Sequence, residues 1–399
     1  MSDTRVSKKL RGFGSSVFAE MTKLSNEHGA VNLSQGFPDF EGPVEIVESV
    51  IRAFREGHNQ YARSMGHPEL VEAISATRRA QFGLQYDPMT EVLVASGGTE
   101  VITSAILGLV EPEDEVILVE PFYDSYPAAI AMAGGSPRFV TLRHPGFRLD
   151  RAELEAAFSK KTKLLVLNTP HNPTGRVFDT AELAMVAELC IRHDVLVLSD
   201  EVYEHILFDG TPHVPLPSVP GMRDRTLVVS SAGKTYSFTG WKIGWATGPM
   251  DMIKAVQAAH QFVTFSTATP IQVGLARAMS TIGPEYYEQL RTDYQQRRDF
   301  MVEILDGAGF EVSIPKGTYF VMADFSKLFP GQDDRAVAVR LVKEYGVAAI
   351  PPSSFYAKEP DQAKSLLRFA FPKRQDTLSK AAERLGRLKT HPPRSATRA

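Results

Sequence analysis

The sequence predicts an α/β protein in which helices sandwich a largely parallel sheet, followed by a smaller α+β domain. Three observations carry that expectation. Short runs rich in valine, leucine and isoleucine recur through the middle of the chain, helical patterns separate them, and small or polar residues follow each run.

Five runs read as strands buried on both faces: Val92 to Ala95, Val116 to Val119, Leu164 to Leu167, Val195 to Leu198, and Leu227 to Val229. Val101, Ile102, Ala105, Ile106 and Leu109 recur at helical spacing after the first, and Leu183, Val186, Ala187, Cys190 and Ile191 before the fourth. Strand and helix in alternation require crossovers, hence parallel pairing. From about Tyr286 the pattern changes: a charged helix around Tyr294 to Leu305 precedes strand-like Gly317 to Ala323, Gly346 to Ile350 and Leu366 to Phe371.

The expected division is an N-terminal arm with part of the small domain over 1–44, a large domain over 45–285, a small C-terminal domain over 286–390 and a mobile tail over 391–399. The N-terminal segment should pack against the small domain. The tail, from His391 to Ala399, has no apolar side chain large enough to anchor it.

At 399 residues the chain exceeds the size at which a single core stops growing. Lys+Arg number 44 against 47 Asp+Glu, a balance that favours neither nucleic acid nor a membrane surface as partner. No signal-like stretch follows Met1 and no apolar run approaches membrane-spanning length, so the cytoplasm is the expected location. The single cysteine, Cys190, falls within a helical pattern and reads as a packed thiol. The 10 histidines form no His-Glu-x-x-His pattern, so no metal site is expected.

The segments after the five runs are Ser96-Gly97-Gly98-Thr99, Glu120-Pro121-Phe122-Tyr123, Asn168 to Gly175, Ser199-Asp200-Glu201 and Ser230 to Lys234. Ligands of open parallel sheets lie outside the carboxyl ends of the strands, so these segments should converge on one site. Lys234 stands out because it follows a buried strand among small residues that allow close approach. A lysine chosen at random from this composition would be solvated.

The motifs Asn32 to Asp39, His171-Asn172-Pro173-Thr174-Gly175, Ser199-Asp200-Glu201-Val202-Tyr203, and Ser230 to Lys234 leading into Thr239-Gly240-Trp241-Lys242-Ile243-Gly244 occur in that order. In them the chain resembles the class I and II aminotransferases, pyridoxal phosphate enzymes of fold type I. The kynurenine, glutamine and methionine aminotransferase-like branch is the nearest match, with succinyldiaminopimelate aminotransferase also close. The resemblance spans Asn32 to Arg368, most of the chain.

It implies pyridoxal 5'-phosphate held covalently by Lys234, which also serves as general base. Asp200 is then the carboxylate facing the pyridine nitrogen, and Asn172 and Tyr203 hydrogen-bond the phenolic oxygen. Lys234, Asp200 and Tyr203 make the implied catalytic set. Gly97, Gly98 and Thr99 at a helix start, with Ser231 and Lys242, hold the phosphate. Many relatives place arginine where Lys242 stands, so a point charge replaces a fork. Tyr123 matches the ring-stacking aromatic, with Tyr126 competing for that part.

On the substrate side the resemblance assigns Arg368 to the carboxylate, with Gly36 and Asn172 beside it, and Phe18 and Phe265 to the side-chain pocket. Tyr61, in Asn59-Gln60-Tyr61, matches a tyrosine that crosses to the neighbour's phosphate, which implies a homodimer with shared sites. The implied activity is transfer of an amino group from a neutral aromatic or sulfur-containing L-amino acid, such as kynurenine, methionine, glutamine or phenylalanine, to a 2-oxo acid with ping-pong kinetics. The alternatives on the same fold are succinyldiaminopimelate transamination and β-elimination from cysteine conjugates. Ser266 departs from the histidine of the kynurenine-type pattern. A ligand-sensing regulator with this fold would carry a DNA-binding domain first, and the Asn32 motif begins too early for one.

Overall fold

The computed structural model describes residues 5–390, so the tail expected over 391–399 lies outside the described residues. The strands, in chain order, are β1 (Val31–Asn32), β2 (Val92–Ala95), β3 (Glu115–Glu120), β4 (Ser136–Thr141), β5 (Thr162–Asn168), β6 (Leu196–Asp200), β7 (Thr226–Ser231), β8 (Gly244–Thr247), β9 (Glu311–Ser313), β10 (Phe320–Asp324), β11 (Val347–Ala348) and β12 (Leu366–Ala370).

Seven of them form the main sheet in the order β2-β8-β7-β6-β5-β3-β4. β8 runs antiparallel to both neighbours, and the other pairs are parallel. The fold is therefore the expected α/β sandwich. Each of the five apolar runs lies on a strand, apart from Val195, which precedes β6. β4 and β8 escaped that reading. β4 opens with exposed Ser136, Pro137 and Arg138 at the sheet edge, where proline is tolerated, so it shows no apolar run. β8, Gly-Trp-Ala-Thr, is too short and mixed to stand out.

Pleating sends alternate residues to opposite faces. Val116, Leu118, Leu164, Val166 and Leu198 meet Val101, Ile102, Ala105 and Ile106 of the helix Gly98–Leu109. Ile117, Val119, Leu165, Leu167 and Val197 instead meet Leu183, Val186 and Cys190 of the helix Thr180–Arg192. Each valine, leucine or isoleucine among them contributes about 1.5–3 kcal/mol by leaving water. Cys190 is fully buried, which pushes its thiol up to about 12.

Beyond the sheet, the charged helix is longer than expected, Pro284–Ala308, and ends at Gly309, whose φ of 99° suits glycine. β12, β10 and β9 form an antiparallel sheet, and β1 pairs in parallel with β11, Val31 opposite Val347. The strand Val31–Asn32 thus packs on the C-terminal part of the chain. Among the described residues no helix is long and apolar enough to cross a membrane.

Candidate active site

A cavity of about 290 Å³ opens at the carboxyl ends of β5, β6 and β7. It collects Gly36, Gly97, Gly98, Thr99, Tyr123, Asn172, Asp200, Tyr203, Ser231, Lys234, Lys242, Arg368 and Phe18, residues spread over most of the sequence. The carboxyl-end convergence expected of a parallel sheet is what the structure shows.

One end of the cavity is built for an anion. Gly97, with φ 87°, turns the chain from β2 into the helix Gly98–Leu109, whose first amide groups have no intrahelical acceptor. Lys242 faces it from a left-handed conformation of its own, φ 55°, and a Cβ on Gly97 would stand 3.2 Å from Lys242 Nζ. Ser231 caps the short helix Ala232–Thr235, its hydroxyl accepting from the Gly233 amide at 3.2 Å. Thr99 Oγ1 and the Tyr123 hydroxyl lie 3.3 Å apart beside this turn.

At the centre stands Asp200, the last residue of β6. Burial pushes its carboxyl up to about 6, against the pull of the hydrogen bond from the Tyr126 hydroxyl. The Asp200 carbonyl accepts from Asn168 Nδ2 at 2.8 Å, and Asn168 Oδ1 accepts from the Asn172 amide at 2.7 Å, which fixes the Asn172 turn against the end of β6. Lys234 projects from the helix Ala232–Thr235 and donates to the Tyr319 hydroxyl at 2.7 Å, with the Tyr203 ring 5.6 Å from its amine. Desolvation lowers the Lys234 pKa, opposed by Tyr123 and Asp200, so its neutral amine is more accessible than that of a surface lysine.

At the other end Arg368, on β12, is 1% exposed. Its Nη1 donates to Asn172 Oδ1 at 3.1 Å, Nη2 to the Ser34 carbonyl at 2.9 Å, and Nε has no partner. The guanidinium lies 4.1 Å from the Phe320 ring centroid, 5.1 Å from Phe18 and 5.4 Å from Phe355. Burial pulls it down to about 10, still charged at neutral pH. Gly36 has no room for a side chain: a Cβ there would stand 2.6 Å from the Phe320 ring.

Two expected site residues are not brought into this cavity. Phe265 follows the helix Met250–Val263 on a surface loop, and Tyr61 is 83% exposed. They meet each other edge to face at 5.3 Å, so the placement of Phe265 in the side-chain pocket does not hold within one chain. Tyr319 and Phe320, in contrast, touch Lys234 and Arg368 and were not singled out from the sequence, where they look like core residues of a strand. Tyr126, weighed as a ring-stacking candidate, instead binds Asp200.

A buried amine, a buried carboxylate, a helix start and a buried guanidinium in one cavity suit an anionic cofactor and a carboxylate substrate together. The family model for aminotransferase class I and II matches residues 28–385. The chain belongs to the class I and II aminotransferases. These use pyridoxal phosphate as a family.

Three relatives show how the branch divides. A kynurenine–oxoglutarate transaminase of Dictyostelium discoideum is 41% identical over 96% of this chain and 96% of its own length. A probable N-succinyldiaminopimelate aminotransferase of Mycobacterium tuberculosis is 44% identical over 96% of this chain and 98% of its own. The solved structure of N-succinyldiaminopimelate aminotransferase from that organism, also 44% identical, superposes with a TM-score of 0.93 over 96% of this chain and all of that one. A methionine aminotransferase of Escherichia coli is 42% identical over 95% of this chain and 97% of its own.

Proposed function

We propose that this aminotransferase binds pyridoxal 5'-phosphate in the cavity and moves the amino group of a neutral aromatic or sulfur-containing L-amino acid to a 2-oxo acid in two ping-pong half-reactions. The observation that carries the reading is the convergence of Lys234, Asp200 and Arg368 on one cavity with a helix start at its far end. The donor set fits the cofactor: Gly97, Gly98, Thr99, Ser231 and Lys242 for the phosphate, Asp200 for the ring nitrogen, Asn172 and Tyr203 for the phenolic oxygen, Tyr123 for the ring face.

When bound, pyridoxal phosphate supplies a sink for the electron pair left by the departing α-proton. Asp200 favours the protonated ring nitrogen on which that sink depends. Lys234 holds the cofactor and, once displaced by the substrate, its amine takes the α-proton and returns it. Arg368 sets the substrate carboxylate by its planar fork, beside Gly36 and Asn172.

The neutral-substrate reading rests on the walls. Phe18, Phe37 and Phe320 line the cavity, and among the described residues its lining cations are Lys234, Lys242 and Arg368, each with a part already. An aspartate side chain would enter with its second carboxylate unpaired, which is costly. The resemblance to the Mycobacterium enzyme favours succinyldiaminopimelate as the second reading. β-Elimination would release pyruvate and ammonia from a cysteine conjugate without an oxo acid.

We also propose a homodimer. Tyr61 and Phe265 sit on the surface in contact with one another, and Phe262 is 87% exposed with Val263, Ile51 and Phe54 also open, large apolar side chains that a second copy could cover. That copy would receive Tyr61 and Phe265 at its own cavity.

An absorption spectrum of the purified protein tests cofactor attachment at Lys234. A panel of amino donors against one oxo acid, ranked by kcat/KM, tests the substrate: kynurenine, methionine, glutamine or phenylalanine should lead. Aspartate or succinyldiaminopimelate in front would overturn the neutral-substrate reading, and an active monomer by light scattering would overturn the shared site.

A further inference from the structure

Glu120 ends β3 and is fully buried, and what satisfies it is a set of neutral donors. Its carboxylate is satisfied by four donors: the backbone amides of Ala357 and Lys358 reach Oε2 at 2.7 and 3.0 Å, and the Glu359 amide and Thr141 Oγ1 reach Oε1 at 3.0 and 2.9 Å. Three consecutive amides on one buried carboxylate form a charge-assisted latch. It joins the main sheet to a segment more than 200 residues away in sequence.

That segment is a strap behind the substrate end of the cavity. At its start Ile350 exchanges two backbone hydrogen bonds with Arg368, at 3.0 and 2.9 Å. In its middle, the Phe355 ring packs on Phe18 at 5.7 Å and faces the Arg368 guanidinium, while the Phe355 carbonyl accepts from the Phe122 amide at 2.8 Å. At its end sit the three amides held by Glu120, flanked by Arg143 to Glu359 at 2.6 Å and Lys358 to Glu153 at 2.6 Å. Glu120 is also three residues from Tyr123, which lines the cavity beside the anion end. One carboxylate therefore ties the loop on the cofactor side to the strap that backs Arg368.

We propose that Glu120 is a positioning residue for substrate binding, which through the strap 350–359 sets Arg368 and the Phe18–Phe355 wall at the distance the substrate needs. It touches neither substrate nor cofactor. The inference rests on the reading of Arg368 as the carboxylate grip. Glu120→Gln keeps the shape, but an amide NH₂ must then face backbone N–H groups whichever way it turns, so the latch loses an acceptor it cannot replace.

The test is calorimetric binding of 3-phenylpropionate, a carboxylate with an aromatic side chain and no amine, to the cofactor-loaded protein. Glu120→Gln should weaken it roughly tenfold, the scale of one hydrogen bond to a charge. The absorption of the bound cofactor should stay unchanged, and KM for the donor should rise more than kcat falls. Thr141→Val removes one donor of the latch with less risk to folding and should weaken the same ligand by a smaller factor. Affinity unchanged in either soluble variant, even with a lowered Tm, would show the latch to be structural only and overturn the proposal. Arg368→Gln is the control: if it binds 3-phenylpropionate like the wild type, the functional reading falls and this inference with it. If Arg368→Gln binds poorly while Glu120→Gln does not, the inference alone falls.

Discussion

The Tyr126 hydroxyl donates to Oδ2 of Asp200 at 2.6 Å, and both residues are buried. This bond is the main force holding Asp200 in its charged form against burial. Removing it in Tyr126→Phe leaves the ring in place and raises the proton affinity of Asp200 further. Steady-state kcat/KM should fall roughly 10- to 100-fold, in line with ~1.5–3 kcal/mol for a hydrogen bond to a charge, and the acid side of its pH profile should move to higher pH. Wild-type values in both would remove Tyr126 from the reaction.

The same carboxylate should destabilise the protein when the cofactor is absent. Its folded-state value of about 6 lies above the ordinary one near 3.8, so between those two the folded chain binds more protons than the unfolded chain. The contribution of Asp200 is thus most favourable at low pH and is lost as pH rises through 6, by at most ~3 kcal/mol. Cofactor-free Asp200→Asn should melt above the wild type at pH 8 and converge with it near pH 4. A lower Tm for the variant at pH 8 would contradict this.

Lys234→Ala should abolish turnover while still binding pyridoxal phosphate, because covalent attachment and proton transfer need the amine whereas the anion end at Gly97, Ser231 and Lys242 remains. Equilibrium dialysis and an activity assay check the two halves, and substantial transamination by the variant would sink the assignment.

Gly97→Ala meets two obstacles, a left-handed φ of 87° and the Lys242 amine 3.2 Å from the new methyl. The backbone alone, with ψ 165° in a region essentially reserved for glycine, costs about 1–3 kcal/mol. Displacement of Lys242 should add a loss of cofactor affinity of roughly tenfold or more, read by titrating the cofactor-free variant. Gly240→Ala, where nothing lies within 4 Å, is the matched control and should bind normally.

Much of this site was legible because the residues that carry it follow buried strands, and such strands announce themselves as short aliphatic runs. Lys234 stood out in that way, whereas the parts expected of Asp200 and Arg368 came from the family resemblance. What escaped were groups whose importance arises only from contact. Nothing in Gly317-Thr318-Tyr319-Phe320 marks Tyr319 as the acceptor for an amine 85 positions earlier. The Glu120 latch is equally invisible, since its partners are backbone amides that every sequence offers. Phe265 is the opposite case: an aromatic expected in the pocket that one chain alone leaves on its surface. Edge strand β4 was hidden by the very exposure that lets it sit at the edge.

The pairing of Val31 with Val347 sets an order on how the protein is made. A ribosome adding ~5–20 residues per second exposes the first strand tens of seconds before its partner exists. The main sheet, complete by Thr247, can close in that interval, while the small sheet must wait for Leu366–Ala370. A nascent chain halted before residue 347 would thus hold a folded main sheet and a first strand with nothing to pair with, the stretch a chaperone has most reason to shield.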